Sequence, residues 1–383
     1  MGDVCSRVQG NDGRMKLPTL TISAGNGWMR QEDRFSGNIA GNEQKNYTLL
    51  HTGELSYNHG NSKLAKYGAV FSLRNYEEAL VPRVYHSFRV EEGCADYIEY
   101  YFATKLPDRE LRKLISSGAR MDGLLNIGYD EFMGIKMMFP SIKEQNEIAT
   151  YFRSLDHLIT LHQRKCEQTK KLKKYMLQKM FPQNGAKVPE IRFDGFTYDW
   201  EQRKLSELLE KYEDPVETPH DGYERVGIRS HAKGTFHSFV EPGKELDTAK
   251  MYRVAADKFI LNITFAWEHA VAITDNNDAG KLVSHRFPQF SFNPKLKPHF
   301  FKYLMLDKKF REHLELSSPG GAGRNRVLKI SDMLKYEIKF PSIEEQIKIG
   351  EYFDSLDNLI TLHQRKCDEL KKMKKYMLQN MFI

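Results

Sequence analysis

The sequence is poor in cysteine and in long apolar runs. Its 383 residues include four cysteines, at positions 5, 94, 166 and 367, and no CxxC pair. Four isolated cysteines are too few for a disulfide framework and favour a reducing compartment. No stretch of about 18 apolar residues is present, as a membrane-spanning helix would need, and no signal peptide is apparent. We therefore expect a cytoplasmic protein.

Catalytic motifs are lacking as well. A base-modifying methyltransferase needs a glycine-rich cofactor loop and an Asn/Asp-Pro-Pro-aromatic box, and neither occurs. The chain also has no GxxxxGK[ST] loop to hold nucleotide phosphates. The glycine clusters at 25–27 and 320–323 do not follow a strand and open a helix, so we interpret them as flexible loops. The sequence thus predicts no enzymatic activity and no cofactor in this chain.

The charge balance is moderately basic. Lysine and arginine outnumber aspartate and glutamate by 58 to 51, which gives a formal net charge of +7. This excess suits a polyanionic partner but also fits an ordinary soluble protein. The length predicts two domains of ordinary size.

The main positive feature is an internal repeat. Residues 139–181 and 340–382 match at 31 of 43 positions, with a constant shift of 201 and no gap. Weaker similarity continues upstream, where 117–127 resembles 320–330 and 79–88 resembles 281–290. Each half therefore consists of a variable region followed by a nearly constant segment.

Each constant segment predicts one long helix. Ser141, with Glu144 three residues later, forms a capping box after Pro140. A seam of mostly apolar residues then advances by alternate fours and threes to about residue 180 and includes Lys173 and its copy Lys374. The residues predicted to pack the two helices together are Ile148, Phe152, Leu155, Ile159, Ile349, Phe353, Leu356 and Ile360. About 37 residues make a rod of about 55 Å, and two related helices in one chain favour an antiparallel pair.

Two features of the predicted helices bear on binding. The stripe is widened by Leu158, Leu161, Leu172 and Tyr175, so the surface is too apolar to be left in water. His162 with Cys166, and likewise His363 with Cys367, stand four residues apart, a spacing that can place two metal ligands on one face. Because a CxxC knuckle is missing, we interpret these residues as a polar layer that fixes helix register, and we predict no bound metal.

The variable regions are typical of mixed α/β domains. Segments 17–23, 68–73, 83–90, 258–267 and 287–292 are rich in β-branched and aromatic residues and predict strands. Short amphipathic helices are predicted to begin in segments 97–102 and 299–304. The expected fold is α+β, with two pseudo-symmetric mixed α/β domains joined by two long helices that pack as an antiparallel coiled coil.

Several loop residues are candidates for reading DNA bases, because forked or bidentate side chains pair with base edges. In the first half they are Asn26, Trp28, Arg30, Asn58, Asn61, Lys63 and Arg120. In the second half they are Arg229, Ser230, His231, Lys233, His237, Trp267, Arg286, Arg324 and Arg326. We rank the loops SAGNGW and SHAKGT first, because they begin at comparable places, Ser23 and Ser230.

The chain resembles the specificity subunit of type I restriction-modification systems over nearly its whole length. The resemblance rests on the duplicated PSIxEQxxI motif, the SLDxLITLHQRK rod and the segment VPEIRFDGFTYDWEQRKL at 188–205. It implies target-recognition domains at 1–138 and 183–339, each reading one half of an asymmetric bipartite DNA site. It also implies conserved spacer helices at 139–182 and 340–383 that set the half-site spacing and dock the modification subunits.

The resemblance further implies partners and a location. Two adenine-methylating modification subunits and the restriction subunits are expected to bind this chain, together with double-stranded DNA, in the bacterial cytoplasm. S-adenosylmethionine, ATP and Mg²⁺ are expected on those partner subunits. One departure lies at the start of the chain, where residues 1–4 align with 205–208 and the segment 188–205 has no counterpart. We therefore expect either that the first domain lacks its opening strand or that the sequence starts late and its N-terminus is truncated.

Two other functions remain open from the residues themselves. A stand-alone DNA-binding regulator would share the fold and the basic charge but need no modification subunits, so co-purification of a methyltransferase separates the two. An enzyme in its own right is disfavoured by the missing motifs, and binding of S-adenosylmethionine by this chain alone would support it.

Overall fold

The computed structural model describes residues 1–35, 41–60, 62–115, 125–183, 185–246, 248, 250–320 and 326–382. The chain divides into two compact units, one formed by Met1–Arg164 with Gln364–Ile383 and the other by Lys165–His363. Each unit contains one variable region and a part of each long helix. The boundaries predicted from the sequence, at residues 138, 182 and 339, instead separate the helices from the variable regions.

The first unit consists of short strands and helices followed by the first long helix. Its strands are β1 (Cys5–Val8), β2 (Leu20–Ser23), β3 (Gly27–Arg30), β4 (Thr48–His51), β5 (Leu55–Asn58), β6 (Ala69–Ser72), β7 (Glu78–Val81) and β8 (His86–Val90). Its helices are α1 (Gln31–Phe35), α2 (Ala95–Ala103), α3 (Asp108–Lys113), α4 (Tyr129–Met133) and the start of α5 (Ile142–Lys179). A 3₁₀ turn covers Gly41–Asn46.

The second unit begins with the end of α5 and contains more strands. They are β9 (Glu201–Lys204), β10 (Leu209–Tyr212), β11 (Pro215–Glu217), β12 (Tyr223–Ile228), β13 (Thr235–Val240), β14 (Lys250–Arg253), β15 (Phe259–Leu261), β16 (Val271–Ile273), β17 (Leu282–Val283), β18 (Gln289–Phe292) and β19 (Glu337–Phe340). Its helices are α6 (Leu205–Leu208), α7 (Pro298–Leu304), α8 (Lys308–Leu316), α9 (Ile330–Met333) and the first part, up to His363, of α10 (Ile343–Asn380). A 3₁₀ turn covers Ala266–Glu268.

Both units contain an antiparallel four-stranded sheet with the same strand order. The order is β1-β8-β5-β6 in the first unit and β10-β18-β15-β16 in the second. The registers correspond, since Leu55 lies opposite Phe88 and Phe259 lies opposite Phe290. These four side chains are fully buried, because one face of each sheet carries the apolar residues of its unit's core. The chain is thus a mixed α/β protein in which one sheet is built twice.

The remaining strands differ between the units. The first unit has two separate pairs, β2-β3 and β4-β7, whereas the second has a five-stranded sheet of order β11-β14-β17-β12-β13. Strand β13 is the edge of that sheet and forms a hairpin with β12. The two halves therefore diverge in the strands outside the four-stranded sheets, including the hairpins β2-β3 and β12-β13.

The segments that lead into the first strands of the two four-stranded sheets, β1 and β10, make equivalent hydrogen bonds. The amino group of Met1 donates to the carbonyl of Ile135 at 3.0 Å, and the backbone N–H of Leu205 donates to the carbonyl of Tyr336 at 2.9 Å. The alignment of the first four residues with 205–208 is therefore supported by geometry. In the second unit β9 pairs with β19, whereas the described residues that correspond to β19 in the first unit form no strand.

In the first unit, the beginning of α5 packs against the end of α10. The rings of Phe152 and Phe382 lie 5.7 Å apart, and Lys374 Nζ donates to Asp156 Oδ1 at 2.5 Å. Along these contacts the residue numbers increase in α5 and decrease in α10, so the two segments run antiparallel. The predicted packing residues of this segment are all buried, namely Ile148, Phe152, Leu155 and Ile159.

In the second unit, the end of α5 packs in the same way against the beginning of α10. The rings of Phe181 and Phe353 lie 6.1 Å apart, and Lys173 Nζ donates to Asp357 Oδ1 at 2.5 Å. The predicted packing residues Ile349, Phe353 and Leu356 are buried, and Ile360 is half-buried.

The predicted elements agree with the structure in position, although the strands are shorter than the predicted segments, most of all in segment 258–267. Each long helix begins just after its predicted Ser cap, and Ser141 Oγ accepts from the N–H of Glu144 at 3.3 Å. Every predicted strand segment contains a strand, and α2 and α7 lie where short helices are predicted. Segment 258–267 is a strand only as far as Leu261, because Asn262 Oδ1 accepts from the N–H of Thr264 at 3.0 Å and turns the chain.

Candidate nucleic-acid interface

The candidate surface of the second unit begins at the tip of the β12-β13 hairpin, residues 229–234. The N–H of Arg229 donates to the carbonyl of Gly234 at 2.9 Å and closes the tip. His231 and Ala232 have φ angles of 62° and 49°, in the left-handed region, as has Gly234 at 81°. Residues other than glycine adopt this region at a cost, so contacts from outside the hairpin must hold the tip.

Those contacts come from the turn at 262–269. Ser230 Oγ donates to Glu268 Oε2 at 2.6 Å, and the N–H of His231 donates to the carbonyl of Glu268 at 2.9 Å. The N–H of Ala232 donates to the carbonyl of His269 at 2.8 Å. The tip is thus tied to the turn by one side-chain and two backbone hydrogen bonds.

The turn is itself fixed by a buried histidine. His269 Nε2 lies 2.9 Å from the carbonyl oxygen of Met305, which can only accept, so Nε2 carries the proton. Burial lowers the pKa of His269, and the ring is therefore neutral at pH 7. This neutral ring anchors the turn at 262–269, and the turn supports the hairpin tip.

Most candidates of the second half lie on this surface. Trp267 belongs to the turn, and the guanidinium of Arg326 lies 5.5 Å from the centre of its ring. The carbonyl of Arg286 accepts from the N–H of Ile263 at 3.0 Å, which places the exposed Arg286 beside the same turn. The candidates brought together by the tip and the turn are Arg229, Ser230, His231, Lys233, Trp267, Arg286 and Arg326.

Two candidates of the second half are placed differently. His237 lies on β13 with Nε2 2.7 Å from Asp278 Oδ1, and the Asp278 side chain is buried, so the imidazole is already engaged in the fold. Arg324 lies outside the described residues.

A cavity of about 350 Å³ opens beside the tip. Its polar lining includes Ser230 and Glu268, and its aromatic lining includes Phe236 and Phe265, which are 40% and 37% exposed. The guanidinium of Arg229 lies 5.3 Å from the centre of the Phe236 ring. Exposed aromatic faces beside a basic loop can stack against nucleobases and sugars.

Three residues of this site were missed by the sequence analysis. Phe236 and Phe265 are aromatic residues close to basic candidates, a local signal that could have selected them. Glu268 supports the tip through a contact with Ser230 that spans 38 positions of sequence, and no local pattern announces it.

The first unit places part of its candidates around the shorter hairpin β2-β3. Its tip, residues 24–26, is closed by the pair Ser23 and Gly27. Asn58 Nδ2 donates to the carbonyl of Ile22 at 3.3 Å, which joins the hairpin to the end of β5. A Cβ at position 25 would lie 3.2 Å from Leu64 Cδ1, so the loop that carries the exposed Lys63 adjoins the tip. Asn26, Asn58 and Lys63 therefore share one surface.

The other candidates of the first half do not join that surface in the described structure. The ring of Trp28 packs on the core with Tyr85 at 6.5 Å, and among the described residues no acceptor reaches its buried N–H. Arg30 lies at the far end of β3 and pairs with Glu32 at 3.0 Å. Asn61 and Arg120 lie outside the described residues.

Two further features concern metal binding and membrane insertion. Within the described ranges, no group of three or more His, Cys, Asp or Glu residues is arranged to hold a metal ion. Nor does the described part of the chain contain a helix long and apolar enough to cross a membrane.

Comparisons with known proteins agree with the resemblance seen in the sequence. The family model described as type I restriction modification DNA specificity domain matches residues 198–372. The type I restriction enzyme MjaVIII specificity subunit of Methanocaldococcus jannaschii is 24% identical over 300 residues, which cover 74% of this chain and 68% of the relative. The putative type I restriction enzyme MjaX specificity subunit of the same organism is 25% identical over 297 residues, which cover 74% and 66%.

A solved structure shares the fold. The S subunit of a type I restriction-modification system from M. genitalium matches with a TM-score of 0.55 and 12% identity, over 100% of this chain and 94% of that one. The family match and the two relatives do not favour a stand-alone regulator. By the family model and these two relatives, the chain is similar to type I restriction-modification specificity subunits.

Proposed function

We propose that this specificity subunit reads an asymmetric bipartite DNA target, one half with each variable region. The target-recognition domains are 1–138 and 183–339. The segments 139–182 and 340–383 act as spacer helices, packed as an antiparallel coiled coil, and set the distance between the half-sites.

One observation carries this proposal, namely that one sheet is built twice but carries two different hairpins. The four-stranded sheets share their strand order. The tip at 24–26 has three residues, whereas the tip at 229–234 has six and is tied to Glu268. Because base choice depends on the side chains that a surface presents to a groove, unlike tips favour unlike half-sites.

The outer faces of the long helices favour two copies of one partner. Large apolar residues recur there at a constant shift of 201 and are between 36% and 63% exposed. The two sets are Leu158, Leu161, Leu172 and Tyr175 on α5, and Leu359, Leu362, Met373 and Tyr376 on α10. A partner that covers one set fits the other equally well. We therefore expect two modification subunits, joined by restriction subunits, on a non-catalytic chain in the bacterial cytoplasm, with S-adenosylmethionine, ATP and Mg²⁺ on those partners.

Domain exchange tests the proposal. Residues 1–138 are replaced by the corresponding region of a relative, and the methylated motif of cells carrying this subunit with its modification subunit is sequenced. We expect one half-site to change while the other half-site and the spacer stay the same. The matched control exchanges 183–339 and should alter only the opposite half. A motif that survives either exchange unchanged would contradict the assignment.

A further inference from the structure

Each unit contains a cluster of three polar side chains where the long helices meet. In the second unit, Lys173 of α5 donates to Asp357 Oδ1 of α10 at 2.5 Å. The hydroxyl of Tyr303, on α7, lies 2.9 Å from Asp357 Oδ2 and 2.6 Å from Asp354 Oδ1 of the same helix α10. The ammonium of Lys173 also lies 5.1 Å from the centre of the Tyr303 ring. One side chain from each of three helices therefore meets at a single carboxylate.

The first unit repeats this cluster with the roles of the long helices exchanged. Lys374 of α10 donates to Asp156 Oδ1 of α5 at 2.5 Å, and Tyr100 of α2 donates to Asp156 Oδ2 at 2.9 Å. The ammonium of Lys374 lies 5.3 Å from the centre of the Tyr100 ring. The lysines and aspartates correspond at the shift of 201 that relates the constant segments. The Lys–Asp contact is thus made twice, once in each unit, and in each unit a tyrosine hydroxyl lies beside the same aspartate.

Both lysines stand at seam positions and are largely withdrawn from water. The side chain of Lys173 is 19% exposed and that of Lys374 is 24% exposed. A charge removed from water to this degree requires a partner, and a lysine in the seam specifies which register of the helices is allowed. Burial, helped by the neighbouring carboxylates, raises the pKa of Tyr303 and of Tyr100. Both hydroxyls therefore stay protonated and remain donors.

We propose that the two Lys–Asp–Tyr clusters lock the register of the long helices and fasten each recognition domain to that register. The inference rests on the proposed function, in which the helices set the half-site spacing. Lys173 and Lys374 are positioning residues that act on specificity without touching DNA.

The sequence shows why the lock discriminates between registers. A seam that repeats every seven residues tolerates a slip of one heptad, but the lysines do not. After such a slip Lys173 would face Gln364 or Gly350 instead of Asp357, and by the same shift Lys374 would face Gln163 or Ala149. Neither alternative offers a carboxylate to either lysine.

The size of the slip gives the measurable consequence. Seven residues of helix correspond to about 10.5 Å, at about 1.5 Å per residue. A base pair of DNA rises about 3.4 Å, so the slip corresponds to about three base pairs of spacer. Loss of the lock should therefore admit targets whose spacers differ by about three base pairs from the native one.

The test uses the complete complex and sequences its methylated sites. We expect the wild type to methylate a single spacing. Lys173→Met combined with Lys374→Met should reduce the preference for that spacing over one altered by three base pairs at least about tenfold. Lys170→Met with Lys371→Met is the matched control, because Lys170 pairs with Glu167 on its own helix and not across the helices. The control should keep the single spacing.

A second set of variants keeps both lysines and moves their partners. Asp357→Gln with Gln364→Asp, and Asp156→Gln with Gln163→Asp, shift each carboxylate by one heptad while preserving the net charge. We expect the combined variant to methylate sites with a spacer changed by about three base pairs. A folded, active variant that keeps the native spacing would overturn the proposal. A wild type that yields no bipartite motif would instead refute the proposed function.

Discussion

Replacement of Glu268 by alanine tests whether the tip at 229–234 reads DNA in the conformation that the turn imposes. The substitution removes the acceptor of Ser230 Oγ but leaves the backbone bonds of His231 and Ala232 in place. A hydrogen bond to a charged group contributes about 1.5–3 kcal/mol. Because Glu268 is half-exposed, we expect about 1–2 kcal/mol at this site.

That energy should appear in DNA affinity, because a loosened tip must be ordered on binding. With about 1.4 kcal/mol per factor of ten, the dissociation constant for the complete target should rise about 5- to 30-fold. Binding to a duplex whose second half-site is scrambled should change little, since it depends mainly on phosphate contacts. Fluorescence anisotropy with the reconstituted complex at fixed salt measures both constants.

The matched control is Glu268→Gln, which removes the same negative charge but keeps an oxygen that accepts from Ser230. We expect its affinity for the target to stay within about threefold of the wild type, because the acceptor is retained. If the glutamine and alanine variants lose affinity equally, the charge of Glu268 and not its anchoring bond is responsible. In that case the reasoning fails.

Three further predictions concern stability, each measured by urea unfolding. Arg192→Ala should lower the free energy of unfolding by about 3–5 kcal/mol, because Glu345, whose side chain is 1% exposed, loses the two hydrogen bonds of 2.7 Å that Arg192 donates to it. Arg192→Met with Glu345→Met should recover most of this loss. If it recovers none, an unpaired buried charge is not the cause. Gln346→Ala should cost about 3 kcal/mol and Gln145→Ala about 2 kcal/mol, because these buried glutamines make three and two hydrogen bonds to backbone groups. Equal costs would contradict this count. Burial lowers the pKa of His86, so the stability that its neutral ring contributes is present above the unfolded pKa of about 6.5 and is lost as pH falls through the folded pKa. Between pH 7.5 and 5.5, the free energy of unfolding should therefore decline less in His86→Gln than in the wild type. An equal decline in both proteins would exclude this histidine as the cause.

The long helices could be predicted from the sequence because their determinants are local and periodic. The Ser141 cap and the three-and-four spacing define α5 to within a residue or two, and the same holds for α10. The repeat supplied the partner of each helix, since two copies of one apolar stripe can cover each other. The pattern did not predict the ion-pair partner of Lys173, which stands at a seam position with no acidic residue nearby in the pattern. Its partner Asp357 lies 184 positions away.

The candidate site was predictable only where chain neighbours are also neighbours in space. The SHAKGT loop was selected from its composition, and it forms the tip of a hairpin. Trp28 was selected by residue type, yet its ring packs on the core of the first unit. Aromatic side chains serve cores and binding surfaces alike, and only the strand register decides which face they occupy. In β3 that register places Trp28 opposite the buried Ile22.

Under the proposed function, the way in which the second tip is held explains how one scaffold can carry tips that read different DNA bases. Two of its three anchors, from His231 to Glu268 and from Ala232 to His269, join backbone to backbone. Such bonds do not depend on the identity of the side chains at the tip, so Arg229 and Lys233 can be replaced without removing them. Only Ser230 contributes its side chain to the anchoring, through Glu268. Under the proposed function, a tip of fixed shape with replaceable side chains changes the bases that it reads while the helices keep their register, so we expect specificity and spacing to be separable by mutation.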